Sequence, residues 1–207
     1  MADLSFIYGT MESGKTTKLL QDNYHYEKNH HKVVVIKPFI DTKGGNKVVT
    51  RLNEGKKVDI LLKKNSSLLS KKYLNMILGS KVVLVDEAQF LSSKQIKELW
   101  EIAHVLDIGV ICYGLKSDFK GKPFEGSSAL FGLADYKNEL TVRCICGKLA
   151  VFNARCEDGK FVYTGSTVAI DGVKNITYVP LCSDCYLKYV IPDKDKNILM
   201  KLKDLKK

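Results

Sequence analysis

The chain has 207 residues, 45% of them hydrophobic, and a formal net charge of +10. That is enough apolar material for one packed domain of ordinary size with a small appendage. No run approaches the roughly 18 apolar residues of a membrane helix, so no membrane span is expected. The lysines behind the charge are scattered and become dense only over 193–207, which reads as a solvated basic tail. No nucleic-acid partner is expected from charge of this kind. The N-terminus runs almost at once into an apolar strand, with Asp3 ahead of it, which is not the form of a signal peptide. A cytoplasmic location is expected.

Strand-like runs fall at 3–8, 33–38, 82–86 and 109–114, with helical stretches between them. This alternation predicts a parallel sheet covered by helices, an α/β fold. The first run leads directly into Gly9-Thr10-Met11-Glu12-Ser13-Gly14-Lys15-Thr16. A glycine, four variable residues and then Gly-Lys-Thr, between a strand and a helix, form a phosphate-binding loop. Its backbone N–H groups turn inward onto phosphate oxygens. Lys15 adds a charge for the β- and γ-phosphates, and Thr16 offers a hydroxyl to Mg²⁺. The following helix, predicted over Lys15 to His30, aims its positive end at the same phosphates.

Residues 41–57 are rich in Gly and Lys and read as an irregular stretch, either a mobile loop near the phosphates or a plain surface loop. The run Val82-Val83-Leu84-Val85 is apolar throughout, as in a strand buried on both faces, and ends in Asp86. An aspartate there sits beside Mg²⁺ in phosphate-loop proteins. Glu87 follows. Adjacent residues cannot easily ligate one small octahedral ion, so its expected task is to take a proton from a hydroxyl or from water. From 94 to 106, Ile96, Leu99, Trp100, Ala103 and Leu106 share a helical face, and Ser92 with Gln95 can form its capping box. Asp86-Glu87-Ala88-Gln89 also resembles the second motif of helicases. Those motors need two ATPase lobes, and the chain before 138 supplies one.

Near Glu139 the texture changes to short strands, recurrent turns and paired cysteines. The expected organisation is a nucleotide-binding domain over 1–138, a zinc-binding domain over 139–192 and the tail over 193–207. Among six cysteines, Cys144-Ile-Cys146 and Cys182-Ser-Asp-Cys185 form two close pairs. In a cytosolic chain such pairs argue for a structural Zn²⁺ rather than disulfides. The first pair is one residue short of the usual knuckle, and Cys156 is a spare thiol. A zinc site here would clamp the base of a loop over roughly 163–179.

Taken in order, the phosphate loop, Asp86-Glu-Ala-Gln-Phe90, Tyr113-Gly-Leu-Lys-Ser-Asp-Phe-Lys-Gly-Lys-Pro-Phe124 and the cysteine pairs around Val168-Ala-Ile-Asp-Gly172 closely resemble the type II thymidine kinases, whose substrate lasso is held by zinc. The resemblance covers about residues 4–190. It implies a RecA-like phosphate-loop sheet with a small C-terminal zinc-binding lasso domain. It implies ATP-dependent phosphorylation of the 5′-hydroxyl of thymidine, and of deoxyuridine, in salvage for DNA synthesis. Glu87 then acts as general base, with Asp86, Ala88 and Gln89 at the ATP and Mg²⁺ side. Arg51 falls where the family has a basic residue near the phosphates. Phe119 stacks on the thymine, Phe90 and Leu115 lie near the base, and Tyr178 contacts the nucleoside. Thr167, Val168, Ala169, Ile170 and Asp171 hold the base mainly through backbone groups. The family is typically a homotetramer inhibited by thymidine triphosphate.

Three features depart from the family pattern. The chain has Asp41-Thr-Lys43-Gly44 where the family often has Asp-x-Arg-Tyr. The first knuckle is short, and the span from Ile170 to Tyr178 is a residue or two long. A DNA-handling ATPase with a zinc module is the competing class. The segment 164–172 is nearly uncharged, which suits a neutral base better than a phosphate backbone.

Overall fold

A computed structural model describes residues 2–42, 44–50, 55–165 and 176–192. The chain separates into two compact units. The first comprises Met1–Gly9, Ser13–Lys116 and Pro123–Leu140, and the second Thr10–Glu12, Ser117–Lys122 and Thr141–Lys207.

The first unit is built on β1 (Leu4–Gly9), α1 (Lys15–Lys28), β2 (Val33–Pro38), β3 (Lys47–Val49), β4 (Gly55–Lys57), β5 (Ile60–Leu62), α2 (Lys71–Ile77), β6 (Val82–Val85), α3 (Ser93–Leu106), β7 (Gly109–Gly114), α4 (Glu125–Leu133) and β8 (Tyr136–Leu140). Six of these strands form one sheet in the order β5-β2-β6-β7-β1-β8. Every pairing in it among the described residues is parallel. The expected strands at 33–38 and 109–114 are present as read, and those at 3–8 and 82–86 shift by a residue at their ends.

Alternation along the strands splits the core between the two faces of the sheet. Phe6, Ile36, Val83, Val85, Val110 and Cys112 pack with Ile96, Leu99 and Ile102 of α3 and Leu130 of α4. Ile7, Val35, Val82, Leu84 and Tyr113 pack on the opposite face with Leu19 of α1. Both faces are therefore covered, as a parallel sheet requires. The capping box of α3 forms as expected, with Gln95 N–H donating to Ser92 Oγ and Ser92 N–H to Gln95 Oε1. The Gln95 amide also donates to the carbonyls of Lys63 and Ser66, so the cap pins the preceding loop.

The expected irregular loop over 41–57 is corrected: it contains the hairpin of β3 and β4. Val48 and Val58 enter the core beside Leu19, and Lys56 pairs with Glu27 of α1 at 2.5 Å.

The second unit carries an antiparallel sheet of β9 (Phe152–Glu157), β10 (Lys160–Val162) and β11 (Ile176–Leu181), with β9 in the middle. α5 (Ser183–Tyr189) follows directly. Its core gathers Ala150, Ala154, Leu181 and Tyr186 around Cys144, Cys182 and Cys185.

Candidate active site

The strands β6, β7 and β1 are neighbours and all run the same way. Their carboxyl ends therefore present three loops along one edge, the position where open parallel sheets bind ligands.

The loop after β1 is shaped by glycine. A Cβ on Gly9 would lie 2.3 Å from the Leu140 carbonyl and 2.5 Å from Ser13 Oγ, so no side chain fits. Gly14 has φ 81°, in the left-handed region, and immediately precedes α1. No side chain caps α1 and no acidic residue stands in its first turn. Its leading N–H groups keep their affinity for an anion. Lys15 Nζ lies 3.3 Å from Ser13 Oγ and 3.5 Å from the Gly9 carbonyl, across the loop. At the tip, Met11 N–H donates to Asn153 Oδ1 at 2.6 Å. That bond engages the N–H of Met11, one of the loop residues expected at the nucleotide.

The loop after β6 carries the two acids. Asp86 is buried, 6% exposed, and its N–H donates to the Ile36 carbonyl. Burial, then the neighbouring Glu87 carboxylate, pushes its carboxyl well above the usual range; Asp41 adds to this and Lys37 opposes it. A cation beside Asp86 would reverse the penalty. Glu87 has φ 48°, a left-handed conformation uncommon for a residue with a side chain. It opens a single 3₁₀ turn, Ala88–Phe90. Its carboxylate accepts a hydrogen bond from Gln89 Nε2 at 2.5 Å, and Gln89 Oε1 accepts from the Leu115 N–H at 3.0 Å. Gln89 is 1% exposed, and a Cβ on Gly114 would stand 2.7 Å from its Oε1. Gly114 thus leaves the space in which Gln89 reaches Glu87. Gln89, expected at the nucleotide, here hydrogen-bonds the Glu87 carboxylate. Ser127 Oγ donates to the Leu115 carbonyl, and Phe90 meets Phe124 edge to face at 5.6 Å.

Sequence reasoning missed Lys37. It is the penultimate residue of β2, beside Asp86, is 1% exposed, and its ammonium lies 2.8 Å from Asp41 Oδ2, with the carbonyls of Gly45 and Lys47 at 3.4 and 3.3 Å. A buried lysine needs such partners. Its only trace in the sequence is a charged residue at the end of an apolar strand.

In the second unit, Phe119 is 2% exposed. The Arg155 guanidinium and the Lys120 ammonium each lie 5.3 Å from its ring centroid. Its carbonyl accepts from the Tyr186 hydroxyl at 2.6 Å. Asp118 Oδ1 accepts from the N–H groups of Lys120 and Lys122, which closes the turn that carries Phe119. Arg155 also pairs with Glu157 at 2.7 Å. Tyr178 is half-buried on β11, in register with Arg155. Arg51 and the lasso residues Thr167, Val168, Ala169, Ile170 and Asp171 lie outside the described residues.

The sulfurs of Cys144, Cys146, Cys182 and Cys185 all lie within 4.8 Å of one another. A tetrahedral zinc with Zn–S bonds of about 2.3 Å needs sulfur separations of about 3.8 Å, so the set fits that ion. The short first pair reaches the cluster because Gly147, at φ 86°, turns the chain and donates its N–H to the Cys144 carbonyl. Cys156 is not in the cluster. Burial raises the Cys144 thiol, but the N–H groups of Cys146 and Cys182 and neighbouring thiols outweigh it and bring it down to about 6. That favours the thiolate a metal binds.

Among the described residues, no helix is long and apolar enough to cross a membrane. A family model described as thymidine kinase matches residues 2–186. A thymidine kinase of Haemophilus influenzae is 39% identical over 186 residues, covering 88% of this chain and 94% of that protein. One of Pasteurella multocida is 36% identical over 184 residues, covering 88% and 95%. One of Streptococcus agalactiae is 37% identical over 188 residues, covering 90% and 97%. A match running almost from end to end, on a sheet whose carboxyl edge carries a phosphate loop and a paired acid, makes this chain a member of the thymidine kinase family of phosphotransferases.

Proposed function

We propose that the chain transfers the γ-phosphoryl group of ATP to the 5′-hydroxyl of thymidine, and of deoxyuridine, giving the 5′-monophosphate and ADP. The observation that carries this reading is the relay from the Leu115 N–H through Gln89 to the Glu87 carboxylate at the strand ends. A carboxylate held that firmly, beside a phosphate loop, is suited to receive a proton from a hydroxyl.

In this mechanism the N–H groups of Ser13 to Thr16 and the Lys15 ammonium bind the phosphates. Glu87 accepts the 5′-hydroxyl proton as the O5′–P bond forms and the bond from phosphorus to the bridging oxygen of ADP breaks. A Mg²⁺ ion, held by Thr16 and Asp86, would neutralise charge developing on the phosphates. Lys37 and Asp41 steady the loop after β2 beside them. Phe119, with Phe90, Leu115, Tyr178 and the segment 167–171, forms the base side by the family resemblance, and Arg51 the phosphate side. The same resemblance supports a homotetramer, inhibition by thymidine triphosphate and a cytoplasmic role in salvage.

The test is a nucleoside panel at fixed ATP. Thymidine and deoxyuridine should be phosphorylated, and deoxyadenosine and deoxyguanosine rejected. Equal turnover of purines and pyrimidines would overturn the assignment.

The four cysteines are proposed to hold a structural Zn²⁺ that closes the base of the lasso. Elemental analysis of protein purified without chelator should find about one zinc per chain. Cys182→Ser should lower that content and raise KM for thymidine, because Cys182 directly follows β11. Metal-free wild-type protein with full activity would rule the site out.

A further inference from the structure

The tip of the phosphate loop is tied to a side chain 142 residues away: Met11 N–H donates to Asn153 Oδ1. Asn153 is 5% exposed and lies on β9, the central strand of its sheet. Its neighbours fix it on both sides. Phe152 stacks on Tyr186 at 4.3 Å between centroids, and Ala154 is fully buried in the core that holds Cys182 and Cys185. Glu12 at φ 67° and Gly14 at φ 81° both stand in the left-handed region. N–H groups in such a turn converge on one anion only while the backbone keeps that shape.

We propose that Asn153 is a positioning residue for the nucleotide: by holding the Met11 N–H it keeps the phosphate loop in the form that receives a triphosphate. The inference rests on the function proposed above. It gives Met11 a part that its place in the motif does not suggest, namely as the loop's anchor rather than as a phosphate donor. A loop held in its binding form loses less freedom when ATP arrives. Without Asn153 the Met11 N–H is left without its partner, a loss that ordinarily corresponds to roughly tenfold or more in equilibrium.

The test compares wild type, Asn153→Ala and Asn153→Asp as full chains. Affinity for a non-hydrolysable ATP analogue should fall roughly tenfold in Asn153→Ala. KM for ATP should rise more than KM for thymidine. The Met11 amide, followed by hydrogen exchange, should be protected in wild type, exposed in Asn153→Ala and protected again in Asn153→Asp, which keeps the acceptor. Should Asn153→Ala fail to fold, Asn153→Ser removes the reach of the acceptor with a smaller change in polarity. Equal analogue affinity in wild type and the truncated variant, or equal Met11 protection in both, overturns the proposal. A wild type that binds no ATP analogue refutes the proposed function instead, while Met11 exchange still decides whether Asn153 holds the loop.

Discussion

Glu87→Gln is expected to lower kcat by roughly 10²- to 10⁴-fold, the usual worth of a positioned general base. Glutamine keeps the length and shape of the side chain, and its carbonyl oxygen can still accept from Gln89 Nε2. The left-handed backbone at φ 48° and the 3₁₀ turn that follows make no demand on the carboxylate charge. What is lost is the ability to receive a proton. Binding of ATP should be retained, since the phosphate loop is unchanged. Steady-state kcat, measured beside nucleotide affinity, checks the assignment, and a kcat within a few-fold of wild type would remove Glu87 from the role. Gln89→Leu sharpens the comparison. It leaves the acid in place but unheld, and should cost less than Glu87→Gln while leaving nucleotide affinity intact.

The second large effect is expected at Lys15. Its ammonium lies across the phosphate loop, near Ser13 Oγ and the Gly9 carbonyl. There it can follow charge as it moves from the transferred group to the leaving phosphate. Lys15→Ala should lower kcat/KM for ATP by roughly 10²- to 10³-fold, comparable to removing one preorganised donor from a developing oxyanion. Lys15→Ala removes neither the glycines at 9 and 14 nor the Met11–Asn153 bond that shape the loop, so thermal stability should change little. Thymidine binding measured without ATP should survive. Unchanged turnover would sink the phosphate-loop assignment.

The parts legible in the sequence are those whose cause is local. Gly9 and Gly14 stand out in the sequence because the turn after β1 needs them within six residues of each other, and the structure shows one crowded by Leu140 and the other at a left-handed φ. The capping box at Ser92 and Gln95 is a four-residue pattern, and it forms. The cysteine pairs converge as expected even though the first knuckle is short, since Gly147 turns the chain within one residue of it. The parts that escaped have distant causes. β8 reads Tyr-Lys-Asn-Glu-Leu, with no apolar alternation, because an edge strand pairs through its backbone and keeps its side chains wet. Lys37 looks like a surface lysine until β2 ends beside Asp86 and Asp41 returns to meet it. The bond from Gln89 to Glu87 escapes the sequence because the space for it is left by Gly114, 25 residues away.

The place of β1 in the sheet bears on how the chain is made. Its two partners are β7, with Leu4 opposite Val110, and β8, with Ser5 opposite Tyr136. The gap that Gly9 leaves is filled by the carbonyl of Leu140. β1 therefore waits for residues 109–140 to emerge from the ribosome before it has both of its hydrogen-bonding neighbours. During that interval an apolar strand stands open, and pairings of such sequence separation form slowly. A nascent chain truncated before β8 holds the complete nucleotide motif but lacks the wall against which the motif is shaped. On the proposed function, the phosphate loop takes its binding form only once β8 has emerged, and chaperone demand should be greatest before that point.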